Sequence, residues 1–383
     1  MMRAVDRIFE ALDAHPDPDR SWLVGSPWFE TPEELRRAIG EAAQSSRYDY
    51  PPPQGLVELR AAVTELHDRE KLSLDSAQVV ITHGAKSGLL AVLGALLQPG
   101  DEILHPLPCY PAYPAAAATL GATPVGVPRE DGYSGWAPGA LAAAVTSRTR
   151  ALVLSSPANP DGATLRSDQA RALVNFCREH GLRLVCDEAY EAFRYAPDTD
   201  RLPAHWDPDL ETVVQVRSFS KTYALCGWRT GYIATDSALI QRVTAWQSAL
   251  LNPPNLLAQL ALVAAPTVPR SFSVEARDRI RRRLEELVAV LVDAGLETMM
   301  PEGGFYVWTD VRPQLGATGH SDTAAWCVDL ARRHGIGLWP GKDFHAPGWV
   351  RISAVACPDA DWERALERLG EGLRSFTNGG RVQ

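Results

Sequence analysis

Residues 218–231 read SFSKTYALCGWRTG and hold one lysine, Lys221, among small hydroxyls and glycines. The chain has four lysines (Lys71, Lys86, Lys221 and Lys342) among 38 basic residues, so a lysine kept here suggests work that arginine cannot do. An ε-amine can lose its proton when desolvated and act as a nucleophile, whereas a guanidinium stays charged. Ser218 and Ser220 offer hydroxyls, and Arg229 offers a planar fork that suits a phosphate. Gly227 and Gly231 let the backbone come close to a ligand. An amine beside an anion clamp describes a Schiff base to a phosphorylated aldehyde, and pyridoxal 5'-phosphate (PLP) is the common one. The alternative is a solvated lysine in a polar loop.

Those side chains need elements to position them. From residue 78 short apolar runs alternate with helical stretches: QVVIT, EILHP, TPVGVP, ALVLSSP, GLRLVCDEAY, TVVQVRS and GYIAT read as strands. Helices are expected over about 138–145 and 167–179, and an apolar one opens after His83-Gly84-Ala85-Lys86-Ser87-Gly88. Strand, glycine turn and helix start together form an anion-binding arrangement of backbone amides. The alternation predicts an α/β fold with a doubly wound, largely parallel sheet. Asn159, Asp187 and Lys221 each follow a strand, and ligands of such sheets sit beyond the carboxyl ends of strands. Upstream, Thr31 is an expected N-cap, with Pro32 and Glu34 completing a start signal for a helix over 32–44. Tyr48 and Tyr50 precede three prolines, a stiff aromatic-tipped arm suited to a dimer contact. Later stretches, among them a long helix over 271–295, GGFYVWTDV, WVRISAVA and a last helix over 358–376, describe a smaller α/β unit onto which the N-terminal segment packs.

Length and composition narrow the class. A chain of 383 residues accommodates one large domain plus a smaller one. Hydrophobic content of 45% and charged content of 22% fit a soluble globular protein. The net charge of −9 with scattered basic residues argues against nucleic acid as a partner. No apolar run reaches the roughly 18 residues of a membrane span, and the N-terminus lacks a secretory signal pattern. Six widely spaced cysteines (Cys109, Cys177, Cys186, Cys226, Cys327 and Cys357) without a CxxC point to reduced thiols in the cytoplasm, with neither a disulfide framework nor a metal site.

Taken together, SFSKTYALCGWRTGY, NPDG, DEAYEAF, PCYPAYP, GGFYVW and VRIS occur in an order that resembles the class I/II branch of the fold-type I PLP-dependent aminotransferases. The resemblance runs from LVGSPWFETP to WVRISAVA. It implies a seven-stranded, mostly parallel sheet in a large PLP-binding domain over 45–267, with a small domain built from 1–44 and 268–383. It implies that Lys221 carries PLP as a Schiff base and moves protons, and that Asp187 pairs with the pyridine nitrogen. Tyr190 and Asn159 would bond the ring hydroxyl and Tyr110 would stack on the ring. The phosphate would lie among the amides of Ala85 and Lys86, the hydroxyls of Ser218 and Ser220, and Arg229. Tyr50 would reach the phosphate of a neighbouring subunit, implying a homodimer with shared active sites. Arg351 would clamp the substrate α-carboxylate, with Gly25 and Asn159 at the same end.

The chain departs from the pattern at Cys226, Thr230, Asp161 and the turn Lys342-Asp343-Phe344-His345. These positions bear on the substrate more than on the cofactor. No second arginine for a distal carboxylate stands out, and Trp28 with the Lys342/His345 turn is expected to shape the side-chain pocket. The leading expectation is amino transfer from an L-amino acid to a 2-oxo acid. The alternative is other PLP chemistry at the same site: a lyase, a cyclase, or an oxidase or decarboxylase. An aminotransferase-like effector domain of a transcription regulator is disfavoured, since only about 24 residues precede Gly25 and the net charge is negative.

Overall fold

The computed structural model describes residues 4–45, 48–129, 138–199 and 202–378. Seven strands form the large sheet: β1 (Val79–Thr82), β2 (Glu102–Leu107), β3 (Thr123–Pro128), β4 (Thr149–Ser155), β5 (Arg183–Asp187), β6 (Val213–Ser218) and β7 (Gly231–Ala234). Their order is β1-β7-β6-β5-β4-β2-β3. Only β7 runs antiparallel to its neighbours, and the remaining pairs are parallel. Helices cover both faces, so β4, β5 and β6 read as nearly unbroken apolar runs rather than alternating ones. The chain has the α/β fold anticipated from its strand–helix alternation.

The helix Ser167–Glu179 has the expected bounds, and the one after the glycine turn begins at Ala85 and ends at Leu96. The helix near residue 33 differs at its start. It spans Glu33–Ala42 behind Pro32, without a side-chain cap. Thr31 Oγ1 instead donates to the Ala224 carbonyl oxygen at 3.2 Å, so the hydroxyl ties this segment to the lysine loop rather than capping the helix.

Four short strands form a second, antiparallel sheet: β8 (Glu297–Thr298), β9 (Tyr306–Asp310), β10 (Trp339–Pro340) and β11 (Trp349–Ser353), in the order β10-β11-β9-β8. The helices Ala4–Asp13, Arg270–Asp293 and Trp362–Asn378 accompany it, and Val5, Ile8, Leu12, Trp22 and Leu23 share its core. Leu35 instead packs with Leu59, Val79 and Ile81 beside the large sheet. We therefore propose that the small unit takes the N-terminal segment only to about Phe29, short of residue 44. Among the described residues no helix is long and apolar enough to cross a membrane.

The reversed strand β7 brings Gly231 against the start of the helix Ala85–Leu96. A Cβ on Gly231 would lie 2.5 Å from the Arg217 carbonyl oxygen, 2.9 Å from the Ala85 nitrogen and 3.0 Å from the Gly84 carbonyl carbon, all backbone atoms that cannot swing aside. Gly231→Ala is expected to destabilise the protein by about 1–3 kcal/mol, as overpacking does. Gly227→Ala serves as the control, because a Cβ there meets nothing within 4 Å. Urea unfolding of the two variants checks this, and equal midpoints would contradict it.

Candidate active site

The carboxyl ends of β4, β5 and β6 deliver Asn159, Asp187 and the lysine loop to one place. Ser218 ends β6 and caps the four-residue helix Phe219–Thr222, its Oγ accepting from the Ser220 amide at 3.2 Å. That single turn projects Lys221 towards the N-terminal segment. Its Nζ donates to the Gly25 carbonyl oxygen at 2.5 Å and lies 3.4 Å from Cys226 Sγ. The Cys226 thiol in turn lies 3.5 Å from the Ser220 carbonyl oxygen that it faces as a donor.

Strand alternation turns Asp187 and Glu188 to opposite faces. Glu188 joins Arg217 at 2.6 Å, and Arg217 also pairs with Glu70 at 2.8 Å. This buried ion cluster backs the lysine loop, because Thr222 Oγ1 donates to Glu191 at 3.0 Å and Glu191 lies 3.9 Å from Arg217. Asp187 faces the other way, where it accepts from Tyr113 Oη at 3.0 Å and from the Ala189 amide at 3.2 Å. Burial pushes its carboxyl up to about 6, only partly opposed by those two hydrogen bonds, and the neighbouring Glu188 charge adds to the rise. A desolvated carboxylate in this position is matched to a cationic partner such as a protonated pyridine nitrogen.

Asn159 joins the two sheets. Its Nδ2 donates to Tyr190 Oη at 3.4 Å, while its Oδ1 accepts from Arg351 Nη1 at 3.0 Å. Arg351 comes from β11, is 2% exposed, and donates through Nη2 to the Leu23 carbonyl oxygen at 2.8 Å. Its Nε is buried without a hydrogen-bond partner. The guanidinium lies 4.0 Å from the Tyr306 ring centroid and 4.5 Å from that of Trp339. Tyr190 Oη is 3.3 Å from Tyr306 Oη, and burial first, then Tyr306, holds the Tyr190 hydroxyl in its protonated form. Tyr110 is half-buried, with its ring edge-on to Tyr113 at 5.8 Å.

The residues expected to cradle an anion also lie close together. Gly84, with φ of 81°, precedes the helix start at Ala85 and Lys86, whose first amides have no intrahelical acceptor. Arg229 stands in the left-handed region and brings Nη2 within 2.8 Å of where a Gly84 Cβ would sit. Ser220 Oγ is buried with no hydrogen-bond partner, an orphan that a phosphate oxygen would satisfy. The residues present therefore fit PLP.

Tyr50 stands apart from these groups, 80% exposed, and Tyr48 bonds back to the Ala43 carbonyl oxygen. From the turn at 341–345, Phe344 reaches Arg351, with the guanidinium 5.2 Å from its ring centroid, while Lys342 and His345 are exposed. Asp343 accepts from the Ala4 and Val5 amides and so holds the first helix. Trp28 is covered by the Arg283 guanidinium at 3.6 Å and belongs to the packing of the small unit. Tyr113 and Tyr306 were not singled out by sequence reasoning. Both lie in motifs it did single out, PCYPAYP and GGFYVW, and membership of those motifs was the available signal.

The cofactor-free protein carries the cost of burying the Asp187 charge. A carboxyl raised from its usual value to about 6 gives relative stability below pH 4 that is lost as pH rises to about 6. Asp187→Asn is expected to remove up to about 3 kcal/mol of that pH dependence. Denaturant unfolding of both cofactor-free proteins between pH 4 and 7 measures the difference. Parallel pH profiles would show that Asp187 titrates normally.

Comparison with known proteins shows the family. The family model for aminotransferase class I and II matches residues 21–369. A probable aspartate/prephenate aminotransferase of Thermus aquaticus is 33% identical over 92% of this chain and 90% of its own length. The aspartate aminotransferase of Geobacillus stearothermophilus is 31% identical over 90% and 89%. In structure, a Thermus thermophilus aspartate aminotransferase mutant superposes with a TM-score of 0.89 at 31% identity, covering 97% of both chains. An aspartate aminotransferase from Thermotoga maritima gives 0.89 at 26% identity over 98% of both. The chain belongs to the class I and II aminotransferases and is a PLP-dependent transaminase of fold type I.

Proposed function

We propose that amino transfer between an L-amino acid and a 2-oxo acid runs on Lys221, with Asp187, Tyr190, Asn159, Tyr110, Ala85, Lys86, Ser218, Ser220 and Arg229 holding PLP. The observation that carries this reading is the Lys221 amine held at 2.5 Å by the Gly25 carbonyl, at the end of the strand next to buried Asp187. Bound PLP supplies an electron sink for the substrate α-carbon. Asp187 would keep the pyridine nitrogen protonated, and Tyr113 fixes the carboxylate in place. Tyr190 and Asn159 would hold the ring hydroxyl, and Tyr110 would lie against the ring. Backbone amides of Ala85 and Lys86, the hydroxyls of Ser218 and Ser220, and Arg229 would hold the phosphate.

Arg351 binds the α-carboxylate through its fork, with Nε still available and Asn159 and Leu23 fixing the plane. Gly25 keeps this end open, since a Cβ there would sit 1.9 Å from Tyr306 Oη. Lys221 Nζ takes the proton from the substrate α-carbon, and the Gly25 carbonyl and Cys226 keep the amine within reach. The exposed Tyr50 is available to a second copy of the chain, in line with a homodimer. A cytoplasmic setting agrees with six free cysteines, five of them buried.

Borohydride reduction of the holoprotein, followed by peptide mass mapping, tests the assignment of Lys221. The phosphopyridoxyl label is expected on Lys221 alone, and Lys221→Ala is expected to lose the label and slow transamination by about 10²-fold or more. A label on Lys86 or Lys342, or an active Lys221→Ala protein, would overturn the assignment. Arg229→Gln is expected to weaken PLP retention during dialysis about tenfold, as loss of a charged phosphate contact would; unchanged retention would remove Arg229 from the cradle.

A further inference from the structure

Lys221 sits in a helix of a single turn, Phe219–Thr222. One turn is not stable by itself, so its direction has to be fixed from outside. The ties on its front side run through the small unit. Lys221 Nζ is held by the Gly25 carbonyl oxygen at 2.5 Å, a Cβ on Gly25 would lie 1.9 Å from Tyr306 Oη, and Tyr306 Oη is 3.3 Å from Tyr190 Oη. Tyr306 belongs to β9, and Gly25 follows Leu23, which shares the core of that small sheet.

On the other side, Lys221 and Tyr190 are joined through their chain neighbours. Glu191 follows Tyr190, Thr222 follows Lys221, and Thr222 Oγ1 donates to Glu191 Oε1 at 3.0 Å. Two turns fix Glu191 against Tyr190: the Glu191 amide donates to the Glu188 carbonyl oxygen at 3.1 Å, and the Phe193 amide donates to the Tyr190 carbonyl oxygen at 2.9 Å. The other oxygen of Glu191, Oε2, is buried without a hydrogen-bond partner. Arg217 lies 3.9 Å from this carboxylate but makes its short contacts with Glu188 and Glu70. Thr222 is therefore the group that orients the Glu191 carboxylate. A carboxylate holds a hydroxyl donor more firmly than a neutral acceptor does, and losing that donor would leave it unsatisfied. Glu191 follows β5 and Thr222 follows β6, which are neighbouring parallel strands, so this link does not involve the small unit.

We propose that Thr222 and Glu191 are positioning residues: their hydrogen bond, behind the site, sets the Lys221 amine against the Tyr190 hydroxyl independently of the small unit. The proposal rests on the roles assigned to Lys221 and Tyr190 in amino transfer. Only one peptide unit, about 3.8 Å between Cα atoms, separates each of the two residues behind from its neighbour in front, so a shift at the back reaches the site little diminished. The Tyr190 hydroxyl steadies a negative ring oxygen and thereby disfavours a proton on the nitrogen that Lys221 supplies to the cofactor. Loosening the link should weaken that effect and misplace the amine for proton transfer, while Arg351 and the carboxylate it binds are left alone.

Thr222→Val keeps the size of the side chain and removes the donor. In the PLP-loaded protein it is expected to raise the pH midpoint of the change in the visible cofactor band by about 0.5–1 unit, the equivalent of one weakened hydrogen bond. It is also expected to lower kcat about tenfold with KM changed less than about twofold. Thr222→Ser keeps the donor and is expected to match the wild type in both measurements. When Thr222→Val and Glu191→Ala are combined, the loss in kcat is expected to equal that of Thr222→Val alone rather than the product of the two single losses. A lower urea midpoint for Thr222→Val with the band midpoint and kcat unchanged would make the contact merely structural and overturn the proposal. Multiplied losses in the double variant would overturn it as well, and the two Thr222 variants decide the matter alone if Glu191→Ala does not fold. Borohydride labelling of the wild type on a lysine other than Lys221 would instead strike the assignment on which the proposal rests.

Discussion

A buried carboxylate facing a phenol and a backbone amide is the constraint on which the site depends. Asp187 is desolvated at the end of a central strand, its nearest acidic neighbour raises its pKa further, and the groups that touch it supply hydrogen bonds but no full charge. Such a group costs stability in the cofactor-free fold once it ionises above about pH 6, and it becomes favourable when a cation is brought against it. Tyr113, Tyr110 and the lysine loop are arranged around that one requirement. The Arg217–Glu188–Glu70 cluster sits on the opposite face of the same strands and keeps the second carboxylate, Glu188, away from the site. Strand alternation alone separates the two, so adjacent acids in sequence take unrelated roles.

A second dependence joins the two ends of the chain. Three consecutive carbonyls of the N-terminal segment are each claimed by a different part of the site: Leu23 by Arg351, Val24 by Ser353 and Gly25 by Lys221. The segment is therefore a template that sets Arg351, the proposed α-carboxylate clamp, and Lys221, the proposed reacting amine, relative to each other. Asn159 repeats that link from the large sheet by bonding both Arg351 and Tyr190. Movement of the small unit would change all of these distances together, which makes the proposed proton-transfer geometry and the proposed carboxylate binding parts of one arrangement.

Much of this could be read in the sequence because the large sheet is parallel and buried. Its strands are short apolar runs whose polar residues collect at one end, and that pattern groups Asn159, Asp187 and Lys221 from sequence alone. Glycine spacing likewise marked the cradle around Ala85 and Arg229. Partnerships between distant side chains were not legible. Tyr113 reaches Asp187 because a helix begins at Ala112, and Tyr306 reaches Tyr190 because of the register of the small sheet; neither follows from local periodicity. Trp28 and the Lys342/His345 turn were expected to shape the pocket, yet Trp28 is packed under Arg283 and Lys342 and His345 are exposed, while the neighbouring Phe344 turns inward. Thr31 carried a strong capping signal that a tertiary hydrogen bond to Ala224 overrode.

The central claim is that one amine, Lys221, moves the proton that converts an amino acid and PLP into a 2-oxo acid and pyridoxamine phosphate. The direct measurement is a single turnover of the purified, PLP-loaded protein mixed with an amino acid in the absence of any 2-oxo acid and of oxygen. The account predicts loss of the visible cofactor band together with one equivalent each of pyridoxamine phosphate and 2-oxo acid, identified by mass spectrometry. It also predicts return of the band when a second 2-oxo acid is added. Catalytic product with PLP retained, or turnover that begins only when oxygen is admitted, would contradict transamination as the chemistry of this site.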